Sequence, residues 1–383
     1  MNFEFSTATE IVFGWGRVAE LAERARAIGT RALLVTGAHP ERNSPVIGRL
    51  EASGVACKVL SIMGEPTVDE ATRGVELARR AEADIVIAIG GGSALDAGKA
   101  VAALAANPGP VTDYLEVVGL GRPLTRASLP MIAVPTTAGT GSEVTRNAVL
   151  KVVERSVKVS LRGLTLLPRL ALVDPELTVS VPRDVTAATG LDALTQVIEP
   201  YLSKARGPLT DALCLEGMRR AARSLRPAFA DGSDRQARED LAATSLFGGL
   251  SLANAKLGAV HGFAAPLGGR FDAPHGQICA RLLPLVTRAN LEAARQARDT
   301  DILSRLTTIA TILTGQASST PEDGIAWLTE LVEDFRIPRL RSLGVESEDI
   351  ASLVEQARLA SSMKGNPFEL SPDTLKYVVE QAL

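Results

Sequence analysis

Only three histidines occur in the chain, His39, His261 and His275, so imidazole chemistry has few places to be. His261 lies in GAVHGFAAPLGG, at helical spacing from Ala265, and His275 follows in DAPHGQ, in a turn flanked by proline and glycine. Upstream, GLDALTQVIE sets Asp192 and Gln196 four residues apart, on one face of a helix. A carboxylate and two imidazoles can hold a divalent metal with a position left open for substrate. Each residue also has a plainer use, a helix-face aspartate or a histidine bonded to backbone, and spacing alone leaves both readings open. Cys279, four residues after His275, reads as a small buried filler or as a thiol facing the same space. Phe271 reads as pocket lining or as core.

Two stretches rich in small residues suggest a different chemistry. IGGGSALDAGKA carries Gly90, Gly91 and Gly92 between an apolar run and a helical segment. Glycine lets the backbone approach a ligand, and the free N–H groups of a helix start attract an anion. A pyrophosphate cradle and a tight turn into a capped helix both fit; the position after a strand favours the cradle. VPTTAGTGSEVT offers Thr136, Thr137, Thr140 and Ser142 as hydroxyl donors, with Gly139 and Gly141 keeping the backbone close. It is poorer in charge than a surface loop usually is, which favours ligand contact.

The elements that must position these residues fall into two halves. RALLVT (31–36), CKVLSI (57–62), DIVIAI (84–89), PMIAV (130–134) and LALV (170–173) read as strands. Helices alternate with them: one opens at Thr67, which has capping-box spacing to Glu70, and another covers 93–106 with Ser93 as its cap. This alternation predicts a Rossmann-like parallel sheet with right-handed crossovers. Residues 145–160 read as a hairpin. From 184 onward the period is helical, including one long segment from Arg238 to Ala264 and a last helix capped at Ser371-Pro372. The expected domains are 1–181, α/β, and 182–383, all-helical.

Composition removes several classes of function. With 46% hydrophobic and 22% charged residues the chain is ordinary globular protein, and a net charge of −3 leaves no basic excess for nucleic acid. Cys57, Cys214 and Cys279 lie far apart without CxxC spacing, which argues against a disulfide scaffold or a cysteine zinc site and fits a reducing cytoplasm. The N-terminal segment has no leader pattern, and no apolar run is long enough for a membrane span.

Taken together and in order, EIVFGWGRVAEL (10–21), GGGSALDAGK, PTTAGTGSEVT, DPELT (174–178), GLDALTQ, VHGFAAPLGG, APHG and GNPFELS (365–371) resemble the iron-containing (group III) alcohol dehydrogenase superfamily over nearly the whole chain. The resemblance implies a dinucleotide-binding domain and a helical domain with the cofactor in the cleft between them. It also implies NAD(H) or NADP(H), a divalent metal (Fe²⁺ or Zn²⁺), a homodimer, and interconversion of small alcohols with aldehydes or ketones. Carried over by position, Gly91, Gly92, Ser93 and Asp96 contact the pyrophosphate. Thr136, Thr137, Thr140 and Ser142 form the second cofactor loop, and Asn147, Lys158 and Leu177 lie near the nicotinamide and its ribose. Asp192, Gln196, His261 and His275 take the four metal positions, with His261, His275 and Lys158 as catalytic candidates.

The sequence departs from that pattern at two places: Gln196 and Ala265 stand where histidines are usual. A glutamine carbonyl is a poorer donor to Fe²⁺ or Zn²⁺ than imidazole, so weak or absent metal binding is expected. A metal-free reductase, with a protonated histidine or the Gln196 amide polarising the carbonyl, is the consequence. A maleylacetate-reductase-like or glycerol-dehydrogenase-like enzyme and a catalytically silent nucleotide-binding homologue are the alternatives. Gly37 follows the first expected strand where an aspartate would repel a 2′-phosphate, and His39 and Arg42 lie nearby. NADPH is therefore expected to serve at least as well as NADH.

Overall fold

Leu33, Leu34, Val35, Ile85, Val86, Ile87 and Ala88 are all completely buried. Two strands with no exposed face must be covered on both sides, as in the interior of a parallel sheet. The computed structural model describes all residues except Met1, Asn2, Val117, Ser156 and Asp272. Ser156 falls in the expected 145–160 hairpin and Asp272 opens DAPHGQ, so those two positions lie outside the described residues. The chain divides into two units, Ser6–Thr137 with Gly141–Ser180, and Val181–Leu383 with Ala138–Thr140 and the N-terminal segment through Phe5.

The first unit contains strands β1 (Glu10–Phe13), β2 (Arg31–Thr36), β3 (Ala56–Ser61), β4 (Ile85–Gly90), β5 (Met131–Pro135), β6 (Asn147–Val152), β7 (Val157–Arg162) and β8 (Leu170–Val173). Six of them form one parallel sheet in the order β1-β8-β5-β4-β2-β3, and β6 and β7 form the antiparallel hairpin. Helices α1 (Leu21–Ile28) and α2 (Ser44–Ala52) cover one face, where Leu34, Ile87 and Val134 pack with Leu21, Ala25 and Leu50. Helices α3 (Val68–Arg80) and α4 (Gly92–Ala106) cover the other, where Leu33, Val86 and Ala133 meet Ala78, Leu95 and Val101. Burying each Leu or Ile contributes about 2 kcal/mol. A one-residue slip would exchange the two faces of a strand, so register is firmly specified. Thr36 pairs with Ile89 and Gly90 with Pro135. The residues that follow these strands, Gly37, Gly91 and Thr136, therefore emerge side by side at the carboxyl edge.

The expected strands are found within one residue of their predicted limits. β1 was not anticipated, because EIVF is short and begins with a charge; it pairs in parallel with β8, Glu10 opposite Leu170.

The second unit is helical: α5 (Arg183–Leu202), α6 (Pro208–Ala230), α7 (Arg235–Ala255), α8 (Ala259–Arg270), α9 (His275–Ala297), α10 (Thr300–Thr314), α11 (Pro321–Asp334), α12 (Ile350–Leu359) and α13 (Pro372–Ala382). α5 is buried almost all round, Asp192, Gln196 and Glu199 included, and packs against α6, α7 and α9. The segment expected as one long helix is two, because Lys256 adopts a left-handed backbone (φ 61°) between α7 and α8. His275, expected in a turn, is the first residue of α9, with Pro274 as its N-cap. Ser371 caps α13 as predicted, accepting from Thr374 N.

Candidate active site

In the sheet unit the donor groups are backbone. α4 begins directly after β4, and its N-cap is Gly91 (φ −73°, ψ −175°), not Ser93; among the described residues no side chain caps it. The first-turn N–H groups are therefore left to a ligand, and a helix start with free amides favours a phosphate. The turn is tight because glycine permits it: a Cβ at Gly90 would stand 2.7 Å from Ala94 Cβ, and one at Gly98 would stand 2.7 Å from Ala88 Cβ, where α4 presses on the sheet. A Cβ at Gly91 would come 3.3 Å from Thr137 Oγ1, whereas one at Gly37 would meet nothing within 4 Å. Gly91, Gly92, Ser93, Thr136 and Thr137 are all half-buried.

A buried ammonium holds the loop beyond Thr137 in place. Lys99 Nζ has no exposure and donates to Ser142 O at 3.0 Å, Thr145 Oγ1 at 2.9 Å and Asn147 O at 2.5 Å, with Asp96 Oδ1 at 3.0 Å. Asp96 also accepts from Ser142 Oγ and from Val149 N. Asp96 and Ser142 thus clasp each other and the hairpin. Burial pushes the Lys99 ammonium down, and pushes the buried Glu143 carboxyl up to about 7 against the pull of that ammonium. Asp174 binds Gly16 N and Val18 N, tying the end of β8 to the GWGRV turn, and Leu177 packs partly buried against the sheet. Lys158 stands opposite Lys151, four positions along the hairpin from Asn147, with Nζ 3.0 Å from Glu65. Thr140 groups with the helical unit.

There the donor groups are side chains. Asp192 comes from α5, His261 from the first turn of α8, and His275 and Cys279 from the first two turns of α9. A Cβ at Gly276 would lie 2.6 Å from Ala188 O, so glycine allows α9 to start directly against α5. Asp192 Oδ1 lies 3.3 Å from His261 Nε2 and 3.7 Å from His275 Nε2. Cys279 Sγ lies 3.7 Å from His261 Nε2 and 3.6 Å from His275 Nε2. One donor atom from each of the four falls within 4.8 Å of all the others. Asp192, His261 and Cys279 are buried, while the His275 side chain is 35% exposed and marks the open side.

Protonation follows from the neighbours. Glu199 Oε2 lies 2.7 Å from His261 Nδ1, and its Oε1 accepts from Val260 N. A carboxylate there assigns the neutral-ring proton to Nδ1, and the Nε2 lone pair then faces Asp192. Asp192 Oδ1 has no hydrogen-bond partner among the described residues although it is buried. Donors converging in this way favour positive charge at their centre, either protons on the imidazoles or a metal ion. The titration tendencies agree: burial alone would lower both imidazoles, yet Cys279 and Asp192, joined at His261 by Glu199, hold both above the ordinary value. Burial would likewise raise Asp192, but His275 and His261 keep it below the usual carboxylate range.

The donor distances fit a metal. With bonds of roughly 2.0–2.3 Å, a tetrahedral ion sets O and N donors about 3.4 Å apart and S and N donors about 3.6 Å apart, close to the separations seen. Gln196 donates Nε2 to Gly139 O at 3.0 Å, which leaves its Oε1 buried without a partner. Ala265, one turn after His261 on α8, offers no donor. Cys279 Sγ faces the same space as the two imidazoles, the second of the two readings that its spacing had left open. With α9 starting at His275, the two are i,i+4 neighbours on one helix. Glu199 was missed, although it lies two turns after Asp192 on the same face of α5. The GNPFELS motif has a structural use: Asn366 Oδ1 accepts from Ala259 N at the start of α8, and Asn366 bonds reciprocally with Asn290. Phe271 is half-buried against the helical core, with the Arg270 guanidinium over its ring.

Comparison with known proteins completes the assignment. Residues 8–175 match the family "Iron-containing alcohol dehydrogenase", and 186–383 match "Fe-containing alcohol dehydrogenase family, C-terminal". The chain is 36% identical over 389 residues to the 1,3-propanediol dehydrogenase of Klebsiella pneumoniae, covering 99% of this chain and 98% of that one. It is 32% identical over 378 residues to the NAD-dependent methanol dehydrogenase of Bacillus methanolicus, covering 97% of each. A crystal structure of 1,3-propanediol oxidoreductase superposes with a TM-score of 0.93 at 34% identity, covering 100% of both chains. The chain belongs to the iron-containing alcohol dehydrogenase family. It is an oxidoreductase that interconverts alcohols with their aldehydes or ketones, in a family that uses NAD(H) and a divalent metal. Among the described residues no helix is long and apolar enough to cross a membrane.

Proposed function

We propose that this chain transfers hydride between a nicotinamide coenzyme and a small alcohol or carbonyl compound, with a divalent metal held by Asp192, His261 and His275. The orphaned, buried Asp192 Oδ1 carries this reading, because it faces two imidazole nitrogens and nothing else satisfies it. When bound, the metal acts as a Lewis acid on the substrate oxygen. Glu199 holds His261 in the tautomer that presents Nε2, and burial of Asp192 and His261 keeps water from competing. Gly91, Gly92 and Ser93 receive the coenzyme pyrophosphate on the open first turn of α4. Thr136 and Thr137 border it, Gly37 leaves room for the adenosine ribose, and Thr140, Asn147 and Leu177 complete the coenzyme contacts. Asp96 and Ser142 support that loop through Lys99. Lys158 serves the nicotinamide side with its charge balanced by Glu65.

With no carboxylate at Gly37, NADPH serves at least as well as NADH; a hundredfold preference in kcat/KM for NADH would overturn that assignment. The reading as a silent nucleotide-binding protein loses its main support, because the missing histidine does not empty the donor cluster. Quenching of NADPH fluorescence together with turnover of at least one carbonyl in an aldehyde and ketone screen supports the enzyme, and coenzyme binding without turnover of any would sink it. We further place the protein in the cytoplasm, where its three free thiols persist, as a homodimer. β1 lies at the sheet edge, and sedimentation tests the dimer.

A further inference from the structure

Gln196 occupies the position expected of a fourth ligand, yet the distances around Cys279 point the other way. Gln196 donates Nε2 to Gly139 O, and its buried, unpartnered Oε1 is a neutral amide donor. Cys279 Sγ is buried and lies at metal-ligand separations from both imidazoles, 3.7 and 3.6 Å. It shares α9 with His275, one turn on, so the helix fixes the two donors relative to each other. The unpartnered Oδ1 of Asp192 faces the same point.

We propose that Cys279, not Gln196, supplies the fourth donor, so that Asp192, His261, His275 and Cys279 form a thiolate site that takes zinc in preference to iron. The inference rests on the reading that Asp192, His261 and His275 bind a divalent metal. Loading releases the Sγ proton, together with any proton on the two imidazole Nε2 atoms, to solvent and leaves the sulfur and nitrogen electron pairs to the ion, with no change of oxidation state. Sulfur is a soft donor and suits zinc better than the hard oxygen of an amide does.

The test uses the full-length protein stripped of metal and reloaded with Co²⁺. The expected spectrum shows a thiolate-to-cobalt charge-transfer band in the near ultraviolet beside the visible d–d bands. Cys279→Ser loses the charge-transfer band, keeps d–d absorption and weakens zinc binding roughly tenfold or more in competition with a chromophoric chelator. Gln196→Ala keeps the band and holds zinc within about threefold. Under anaerobic competition for equal Zn²⁺ and Fe²⁺, the zinc preference falls roughly tenfold in Cys279→Ser; an unchanged ratio overturns the preference. Wild-type protein with d–d bands but no charge-transfer band, or a band that survives in Cys279→Ser, overturns the ligand assignment while leaving the metal on Asp192, His261 and His275. Failure to bind any cobalt overturns both. The wild-type spectrum alone decides whether a thiolate binds, should the serine variant not fold.

Discussion

The sheet unit and the helical unit build their sites in opposite ways. At the start of α4 the groups offered to a ligand are backbone amides, and the essential property of Gly90, Gly91 and Gly98 is the absence of a side chain. In the helical unit the groups are side chains drawn from α5, α8 and α9, and glycine serves at Gly276 only to let two helices meet. A backbone site depends on a short stretch of chain and tolerates changes elsewhere. A side-chain site depends on the packing of distant helices and can exchange one ligand type for another, provided that charge and distance are kept.

The difference can be broken from either side. Asp192→Asn should have the largest effect: loss of tightly bound metal and a fall in kcat/KM of roughly 10³-fold, the several kcal/mol that Lewis-acid polarisation supplies. Coenzyme affinity, measured by fluorescence titration, should stay within about threefold; a parallel loss would mean that the two regions are not independent. Gly91→Val is the converse. The extended backbone of Gly91 accepts valine, but its side chain crowds Thr137 and the pyrophosphate, so coenzyme should bind roughly 10²-fold more weakly. Metal content should not change.

Two further tests address what lies beneath each site. The buried Glu143 carboxyl has a folded-state value of about 7 against an ordinary 4.5. The native state therefore binds the extra proton between those values, and stability falls as pH rises toward and through 7. Between pH 5 and pH 7 the loss from this group is about 2 kcal/mol, and Glu143→Gln should remove that part of the slope in urea unfolding. An unchanged slope would mean that Glu143 is ionised throughout. Glu199→Gln should be mildest: one amide cannot accept from both Val260 N and His261 Nδ1, so metal affinity should drop roughly tenfold with little change in coenzyme binding.

The glycine cradle was legible because its cause is local. A buried β-branched strand followed by GGG and an alanine-rich segment specifies strand, tight turn and helix within a single stretch of sequence. Even so, the sequence suggested Ser93 as a cap where Gly91 stands, and that two-residue shift leaves the amides free. EIVF was overlooked as a strand because four residues carry too little pattern; its partner β8 lies far along the chain. In the helical unit Asp192, His261 and His275 were identifiable as candidates, Cys279 stayed open between a filler and a thiol facing the same space, and Glu199 was not seen. Where the Cys279 sulfur points depends on where α9 begins, and the pattern around DAPHGQ reads as turn until Pro274 is seen to cap the helix.

Residue order alone determined the alternation of strands and helices, the helical second half and the location of the phosphate-type turn, because these follow from hydrophobic period and glycine chemistry along contiguous residues. Tertiary structure decided which sulfur, nitrogen and oxygen atoms converge. A donor set is defined by separations of a few ångströms between groups on different helices, and only the close packing of α5, α8 and α9 sets those separations.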